Sequence, residues 1–243
     1  MPADRQAGMG TAELFDALFP GGHTIGVDGD FIHGTGTVDA ETVCVIGTAN
    51  HAEIGVELAF AMAVEVLRTV REDPHRAILL LVDTQGQRLR HRDELLGINA
   101  YMAHLAKCLE VARHAGHRIV SLVYGRAVSG GYLTTGMMAD SCHALESAEI
   151  SVMNLPAMAR VTKIAQERLE ELAASSPVFA PGAVNYLKMG GLESLWSGNL
   201  AGALREALNG KENIDHRRER GNERGGRTMA LEVSRRVRGD ALD

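Results

Sequence analysis

Aromatic residues are scarce in this sequence. The 243 residues include five phenylalanines, four tyrosines and one tryptophan, or 4% of the chain. Proteins that bind single-stranded nucleic acid stack bases on exposed aromatic rings, so this class of function is disfavoured. The net charge of −6 also supplies no basic surface for a phosphate backbone. We therefore expect no nucleic-acid partner and a core built from aliphatic side chains.

Long apolar runs and paired cysteines are also missing. No segment approaches the roughly 18–20 uninterrupted apolar residues of a membrane span, and residues 1–19 lack the basic start and apolar run of a signal peptide. Cys44, Cys108 and Cys142 are odd in number, far apart and in no CxxC pair, which disfavours a disulfide framework or a thiolate zinc site. We expect a cytoplasmic protein with reduced, mostly buried thiols, no metal and no membrane contact.

What the chain does contain is an alternation of strand-like and helix-like patterns. Three aliphatic runs, at residues 41–48, 77–84 and 118–125, predict strands that are covered on both faces. Apolar residues at helical spacing predict helices from about residue 52 to 70 and from about 93 to 114. The order β-α-β-α-β predicts an α/β fold with crossover connections.

The C-terminal segment has a different composition. Residues 211–243 carry nine basic and seven acidic residues, a net charge of +2 against −8 for the rest of the chain. We therefore predict a main domain over residues 1–210 and a charged extension over residues 211–243. The extension is expected to be solvated and partly helical, either disordered by itself or docked on a partner subunit.

Two glycine sites follow predicted strands directly. Gly86 lies in VDTQGQ, and Gly130 and Gly131 lie in YGRAVSGGY, ahead of a predicted helical run at residues 133–139. A strand, a glycine turn and a helix start leave backbone N–H groups free to hold an anion or an oxyanion. Adjacent glycines also remove the β-carbons that would block a carbonyl, although tight packing of helix on strand explains such a pair equally well.

Two nucleotide-binding motifs can be set aside. Gly34-Thr35-Gly36 is followed by Asp39, where a Rossmann fingerprint has its third glycine, and no GxxxxGK[ST] phosphate loop occurs.

The order of these segments resembles a known superfamily. VDTQG, a helix, SLVYGRAVSGGYLTTGMMAD and then ALESAEISVMNLP are similar to the crotonases, and more closely to the carboxyltransferase branch found in acyl-CoA carboxylases. Over roughly residues 41–196 the chain most resembles the gamma subunits of biotin-independent malonate decarboxylases. The resemblance implies a crotonase-like (ClpP/crotonase) fold, a layered β-β-α superhelix that forms a carboxyltransferase half-domain.

Two other branches of the superfamily fit less well. Hydratases need two glutamates for acid–base work, and the matching positions here are Thr134 and Asn154. Clp-type peptidases have a nucleophile motif that resembles GRAVSGG around Ser129. A serine needs a neighbouring base to become nucleophilic, and Asn154 stands in the stretch that resembles the one carrying the peptidase histidine.

The carboxyltransferase resemblance implies decarboxylation of a malonyl thioester to an acetyl thioester and CO2. Gly130 and Gly131 would supply a backbone oxyanion hole, and Gly86 would line the same cleft. Backbone amides suffice because stabilising the enolate charge is most of the chemical task.

Other residues are weaker candidates for substrate binding. Ser129 and Arg126 belong to the glycine motif, and Arg126 would either orient a carboxylate or form a surface salt bridge. Arg160 and Lys163, three apart on a predicted helix after Pro156, would either contact a phosphopantetheine phosphate or be solvated. Asn50, in GTANHAEIG, is expected to cap the helix that follows it.

The resemblance also implies partners. These are a beta subunit as the other half of the catalytic unit, an acyl-carrier protein that presents malonyl on a CoA-like phosphopantetheine arm, and an acyltransferase that reloads it. No cofactor is expected to bind this chain directly. A carboxyltransferase subunit of a biotin-dependent enzyme and a non-catalytic scaffold half remain open alternatives.

Overall fold

The computed structural model describes residues 9–175, 180–210 and 214–239. The helices, with one 3₁₀ turn at Gly136–Met138, are α1 Thr11–Leu18, α2 Val56–Glu72, α3 His91–Leu95, α4 Ile98–His114, α5 Ser129–Thr134, α6 Leu155–Thr162, α7 Gln166–Ser175, α8 Ala183–Lys188, α9 Leu200–Leu208, α10 Arg217–Glu223 and α11 Thr228–Arg238. The strands are β1 Gly26–Asp28, β2 Phe31–Val38, β3 Glu41–Thr48, β4 Ala52–Ile54, β5 Ile78–Gln87, β6 Ile119–Val128, β7 Ser141–Leu145, β8 Glu149–Ser151 and β9 Ser194–Trp196.

The strands of the described residues form one sheet with two parts. The main part runs β1-β2-β3-β5-β6-β7-β9, antiparallel at its β1-β2-β3 end and parallel from β3 onwards. The C-terminal residues of β5 and β6 leave this layer, where β5 pairs with β4 and β6 pairs with β8. The pairing of β5 with β6 becomes irregular between Val82 and Thr84, where the two parts join. The predicted α/β class and the three predicted strands are confirmed.

Residues of β5 alternate between two hydrophobic layers. Ile78, Leu80 and Val82 contact the layer built with α2 and α4, whereas Leu79 and Leu81 face the layer built with α1 and α9. Burial on both faces explains why the strand reads as an uninterrupted aliphatic run. The helices therefore cover the sheet on both sides.

Two helix predictions were wrong in detail. The pattern at residues 52–70 begins with β4, and the helix itself starts at Val56, after the N-cap residue Gly55. Asn50 does not cap it, because its side-chain amide donates to the Gly29 carbonyl and to Asp30. The pattern at 93–114 is split into α3 and α4 by Gly97, whose φ of 77° breaks the helix without interrupting the apolar spacing.

The glycine-rich helix also starts earlier than predicted. The expected helical run at residues 133–139 is α5, which begins at Ser129, followed by the 3₁₀ turn. Gly130 and Gly131 therefore belong to the first turn of the helix and do not precede it.

The C-terminal segment contacts the rest of the chain. Arg217 of α10 donates to the carbonyls of Met137 (2.9 Å) and Ala139 (3.3 Å), and Arg224 donates to those of Leu187 and Leu192, both at 2.8 Å. Residues 211–213 and 240–243 lie outside the described part of the chain. The division at residue 210 remains a prediction.

All three thiols are free and buried, as expected. Burial raises the pKa of Cys44 to about 11, so this thiol stays protonated near neutral pH. Within the described ranges, no helix is both long and apolar enough to cross a membrane. The same ranges contain no cluster of three His, Cys, Asp or Glu side chains that could hold a metal.

Candidate active site

The two glycine sites meet where β5 and β6 leave the main sheet. A β-carbon placed on Gly131 would lie 2.7 Å from the Cα of Gly86 and 3.1 Å from the hydroxyl of Thr84. Such distances leave no room for a side chain. Gly86 itself has a φ of 104°, a conformation that favours glycine. Close backbone approach therefore requires glycine at both positions.

The start of α5 leaves two backbone amides without a protein acceptor. Ser129 opens the helix in the left-handed region, with a φ of 52°. Within the described structure, the N–H groups of Gly130 and Gly131 donate to no protein acceptor. This is the normal state of N–H groups in a first helical turn. Strain at Ser129 and free amides together are typical of a functional turn.

A cavity of about 390 Å³ opens beside Gly130. It is lined by Gln87, Glu94, Ile98, Asn99, Met102, Ala103, Gly130 and Thr134. The Oε1 atom of Gln87 is buried without a hydrogen-bond partner, and a β-carbon on Gly130 would lie 3.0 Å from it. An unpaired buried acceptor is costly unless a ligand or water satisfies it.

Thr84 connects β4 to the glycines. Its hydroxyl donates to the Ala52 carbonyl at 2.7 Å and accepts from the Gly86 N–H at 3.0 Å. The Gly86 amide is therefore already engaged, and Gly86 contributes to the cleft by its missing side chain. We call Gly86, Gly125, Gly130 and Gly131 the glycine wall of the cleft.

The glycine wall is held from behind by the buried carboxylate of Asp83. This carboxylate accepts from the backbone N–H groups of His51 and Arg126, each at 2.8 Å, and lies 2.6 Å from the His51 ring nitrogen Nδ1. A β-carbon on Gly125 would lie 2.3 Å from Asp83 Oδ1. Asp83 thus ties β6 and the residue before β4 to β5 at the point where the sheet divides.

Charged side chains form a second cluster next in sequence to Gln87 and Glu94, which line the cavity. Asp93 of α3 is fully buried and accepts two hydrogen bonds from Arg88, at 2.7 and 2.8 Å, and one from the Val56 N–H. Arg88 also pairs with Glu57 at 2.8 Å. Hydrogen bonds from Arg88 lower the pKa of Asp93 to about 2. We call Arg88, Asp93 and Glu57 the ion-pair wall, because they fasten α3 to the start of α2.

Four of the predicted site residues lie together, and the three predicted cations lie elsewhere. Gly86, Ser129, Gly130 and Gly131 are brought together as described above. Arg126 lies on β6, where its guanidinium pairs with the exposed Glu149 at 3.1 Å.

Arg160 and Lys163 are exposed on a separate helix pair. Arg160 lies in the last turn of α6, which packs against α7. Lys163 ends α6 with a φ of 62°, so it does not continue the helical face of Arg160. Their role remains a prediction.

Thr134 and Asn154, at the positions where hydratases have their glutamates, both use their side chains in hydrogen bonds to the backbone. The Thr134 hydroxyl donates to the Gly130 carbonyl at 2.9 Å, and the Asn154 side chain accepts from the Ala157 N–H as the N-cap of α6. In the described part of the chain, Ser129 makes no hydrogen bond with a histidine. Neither a hydratase pair nor a serine–histidine pair is assembled.

Sequence reasoning missed Asp83, Thr84, Gln87, Asp93 and Glu94. A signal did exist for Asp83 and Thr84, because a polar pair ends an otherwise aliphatic strand. Asp93 and Glu94 gave no such signal, since a charged pair at the start of a helix is usually solvated.

Comparisons with known proteins show which family the chain resembles. A sequence model of the malonate decarboxylase gamma subunit family matches residues 49–241. The chain is 28% identical to a chain in a Pseudomonas malonate decarboxylase hetero-tetramer solved with coenzyme A, covering 96% of this chain and 99% of that one, with a TM-score of 0.77. A Pseudomonas MdcD–MdcE hetero-dimer matches with the same identity over 92% of this chain and 96% of that one, with a TM-score of 0.71.

One relative of this chain is a carboxyltransferase. The malonyl-S-ACP:biotin-protein carboxyltransferase MADD of Malonomonas rubra is 40% identical over 151 residues, covering 58% of this chain. The match spans about half, 52%, of that relative's length. The transcarboxylase 12S core is similar in fold, with a TM-score of 0.68 at 17% identity over 86% of this chain and 41% of that one. The crotonase-like carboxyltransferase fold is thereby confirmed, and the chain belongs to the malonate decarboxylase gamma subunit family.

Proposed function

We propose that this chain forms one half of the catalytic unit of a malonate decarboxylase. The reaction converts a malonyl thioester on an acyl-carrier protein into an acetyl thioester and CO2. A beta subunit supplies the other half. The observation that carries the proposal is the family match over residues 49–241, which contains the whole glycine wall.

The chemistry rests on backbone amides. As the bond between the α-carbon and the carboxylate breaks, negative charge moves onto the thioester oxygen. An oxyanion hole in the beta subunit stabilises that enolate, while the N–H groups of Gly130 and Gly131 hold the departing carboxylate and CO2. Fixed amide donors in a cleft shielded from water are effective because they need no reorganisation during the reaction.

Four side chains have supporting roles in this proposal. Ser129 and Arg126 bind the substrate at the edge of the glycine wall, and Arg126 exchanges its contact with the exposed Glu149 for the substrate carboxylate. Arg160 and Lys163 are exposed cations suited to the phosphate of the carrier's phosphopantetheine arm. The arm enters with the carrier protein and belongs to the substrate.

The proposal includes the remaining partners and the compartment. Two of the similar solved structures are a hetero-dimer and a hetero-tetramer of Pseudomonas malonate decarboxylase, which supports a beta-subunit partner. An acyl-carrier protein and an acyltransferase complete the cycle. Three free, buried thiols fit the reducing cytoplasm.

The decisive experiment changes Gly130 to Ala in the assembled complex. The new β-carbon meets only the movable amide end of Gln87, at 3.0 Å, so the fold should persist while the approach to the amides is blocked. We expect decarboxylation to fall about 10²-fold, measured as CO2 release from the malonyl thioester. Gly26→Ala is the matched control, because nothing lies within 4 Å of its new β-carbon. An intact complex with unchanged Gly130→Ala activity would indicate a scaffold role.

A second candidate function follows from the Malonomonas rubra relative, whose activity uses a biotin protein. In that case the complex would transfer the carboxyl group to biotin. Adding avidin to the assay separates the two, since a biotin-independent decarboxylase keeps its full rate of acetyl thioester formation.

A further inference from the structure

The decarboxylation proposed above leaves one step without a residue. Loss of CO2 produces an enolate, and its α-carbon must gain a proton. Thr134 and Asn154, at the hydratase positions, have no useful acidity and are already engaged in structural hydrogen bonds. The cleft therefore needs another acid.

Glu94 is the one acidic or basic side chain among the described residues that line the cavity beside Gly130. It belongs to α3 and lines the cavity together with Gly130, and its side chain is exposed. A carboxyl group at this position has contact with solvent for proton exchange and with the space where the substrate would bind.

The backbone of Glu94 is held firmly on both sides. Its N–H donates to the Arg90 carbonyl at 3.1 Å, and its carbonyl accepts from the Gly97 N–H at 3.0 Å. The preceding residue, Asp93, is locked by Arg88 and by the Val56 N–H. The ion-pair wall thus fixes the origin of the Glu94 side chain, which is how a proton-transfer group is usually supported.

We infer that Glu94 is the proton-transfer residue of this subunit. The bond from the α-carbon to the carboxylate breaks, CO2 leaves, and the bonding electron pair forms the enolate. The enolate then takes the proton of the Glu94 carboxyl group: its electron pair forms the new C–H bond and the thioester carbonyl is restored. The Glu94 carboxylate regains a proton from the solvent, so that one proton is consumed for each CO2 released.

The inference rests on the proposed function, so both are tested in the wild-type and variant complexes with the beta subunit. Glu94→Gln keeps the shape and removes the acid. We expect it to lower kcat for acetyl thioester formation by about 10²-fold or more, with KM changed by less than about threefold. Glu94→Asp, which keeps a carboxyl group, should retain more activity than Glu94→Gln.

A second readout, hydrogen exchange on the product, separates proton transfer from a structural disturbance of α3. In D2O the wild-type complex should exchange the α-hydrogens of an acetyl thioester, which is the same proton step run backwards, and Glu94→Gln should lose this exchange. Leu95→Ala changes the exposed residue next to Glu94 on α3 without removing an acid and should keep it. Glu13→Gln on α1, which packs on the other side of the sheet against α9, controls for loss of one exposed charge.

The possible failures are distinguishable. Wild-type kcat and exchange in Glu94→Gln would overturn the assignment of Glu94 alone. Equal losses in Glu94→Gln and Leu95→Ala would overturn it too, since a disturbance of α3 would then explain both. A wild-type complex that releases no CO2 would overturn the proposed function and this inference together.

Discussion

The glycine wall and the ion-pair wall are built by opposite means. The glycine wall depends on atoms that are missing, because β-carbons on Gly131 and Gly125 would lie 2.7 and 2.3 Å from their neighbours. The ion-pair wall depends on charges that are present, because the Asp93 carboxylate is buried and accepts its hydrogen bonds from the Arg88 guanidinium and the Val56 N–H. The first wall is therefore vulnerable to added volume and the second to lost charge.

Removing the Asp93 charge should have the largest effect on stability. Asp93→Ala leaves the Arg88 guanidinium without its buried partner and releases α3 from the start of α2. Breaking a buried pair on one side is strongly destabilising, and we expect the melting temperature to fall by roughly 10 °C. Circular dichroism on the purified protein measures it.

Glu57→Ala is the control for that change. Its carboxylate also pairs with Arg88 but is exposed, so its removal should lower the melting temperature by only a small fraction of the Asp93→Ala effect. Equal losses for both variants would mean that burial of the pair does not matter.

Adding volume behind the glycine wall should have a smaller effect. Gly125→Ala places a methyl group against Asp83 Oδ1, which accepts from the Arg126 N–H and contacts the His51 ring, while Oδ2 accepts from the His51 N–H. Overpacking of this kind costs about 1–3 kcal/mol of the free energy of unfolding, and urea denaturation measures it. If Gly125→Ala unfolds at the same urea concentration as the wild type, Asp83 is free to move and does not hold this wall.

Lowering the pH should weaken the ion-pair wall selectively. We expect this effect on stability to be smaller than those of Asp93→Ala and Gly125→Ala. The pKa of Asp93 is lowered to about 2 in the folded protein, against about 3.9 in an unfolded chain. Its stabilising contribution is therefore complete above pH 4 and is lost as the pH falls from about 4 to 2. The difference in melting temperature between wild type and Asp93→Asn should be constant from pH 7 to 5 and shrink below pH 4. A difference that does not change with pH would show that charge is not what Asp93 contributes.

The three strands at the centre of the sheet could be predicted from the sequence because strands buried on both faces leave a strong pattern. The run at residues 41–48 became β3 with identical bounds. Strand β4 was missed because its two buried residues, Ala52 and Ile54, read as the start of the apolar spacing of α2. Gly97 was missed for a related reason: a single left-handed residue divides α3 from α4 without disturbing the apolar spacing.

The candidate site was only half predictable. The glycines could be found because a strand, a glycine turn and a helix follow one another in the chain. Asp83 is marked in the sequence only as a polar residue at a strand end, and Asp93 is not marked at all. The backbone amides that Asp83 binds lie 32 and 43 residues away, and the one that Asp93 binds lies 37 residues away. No local pattern encodes such contacts, and only the folded sheet reveals them. Glu94 depends on Asp93 for its position and was missed with it.

The contacts of Arg217 have a consequence for synthesis of the chain. The carbonyls of Met137 and Ala139 lie just beyond the helix that carries Gly130 and Gly131. They accept hydrogen bonds from Arg217, which is synthesised 80 and 78 residues later. At about 5–20 residues per second on the ribosome, that delay is roughly 4–16 s. During this interval the turn after the glycine helix lacks these two hydrogen bonds, so we expect the nascent chain to hold this turn less firmly until the C-terminal helices have emerged.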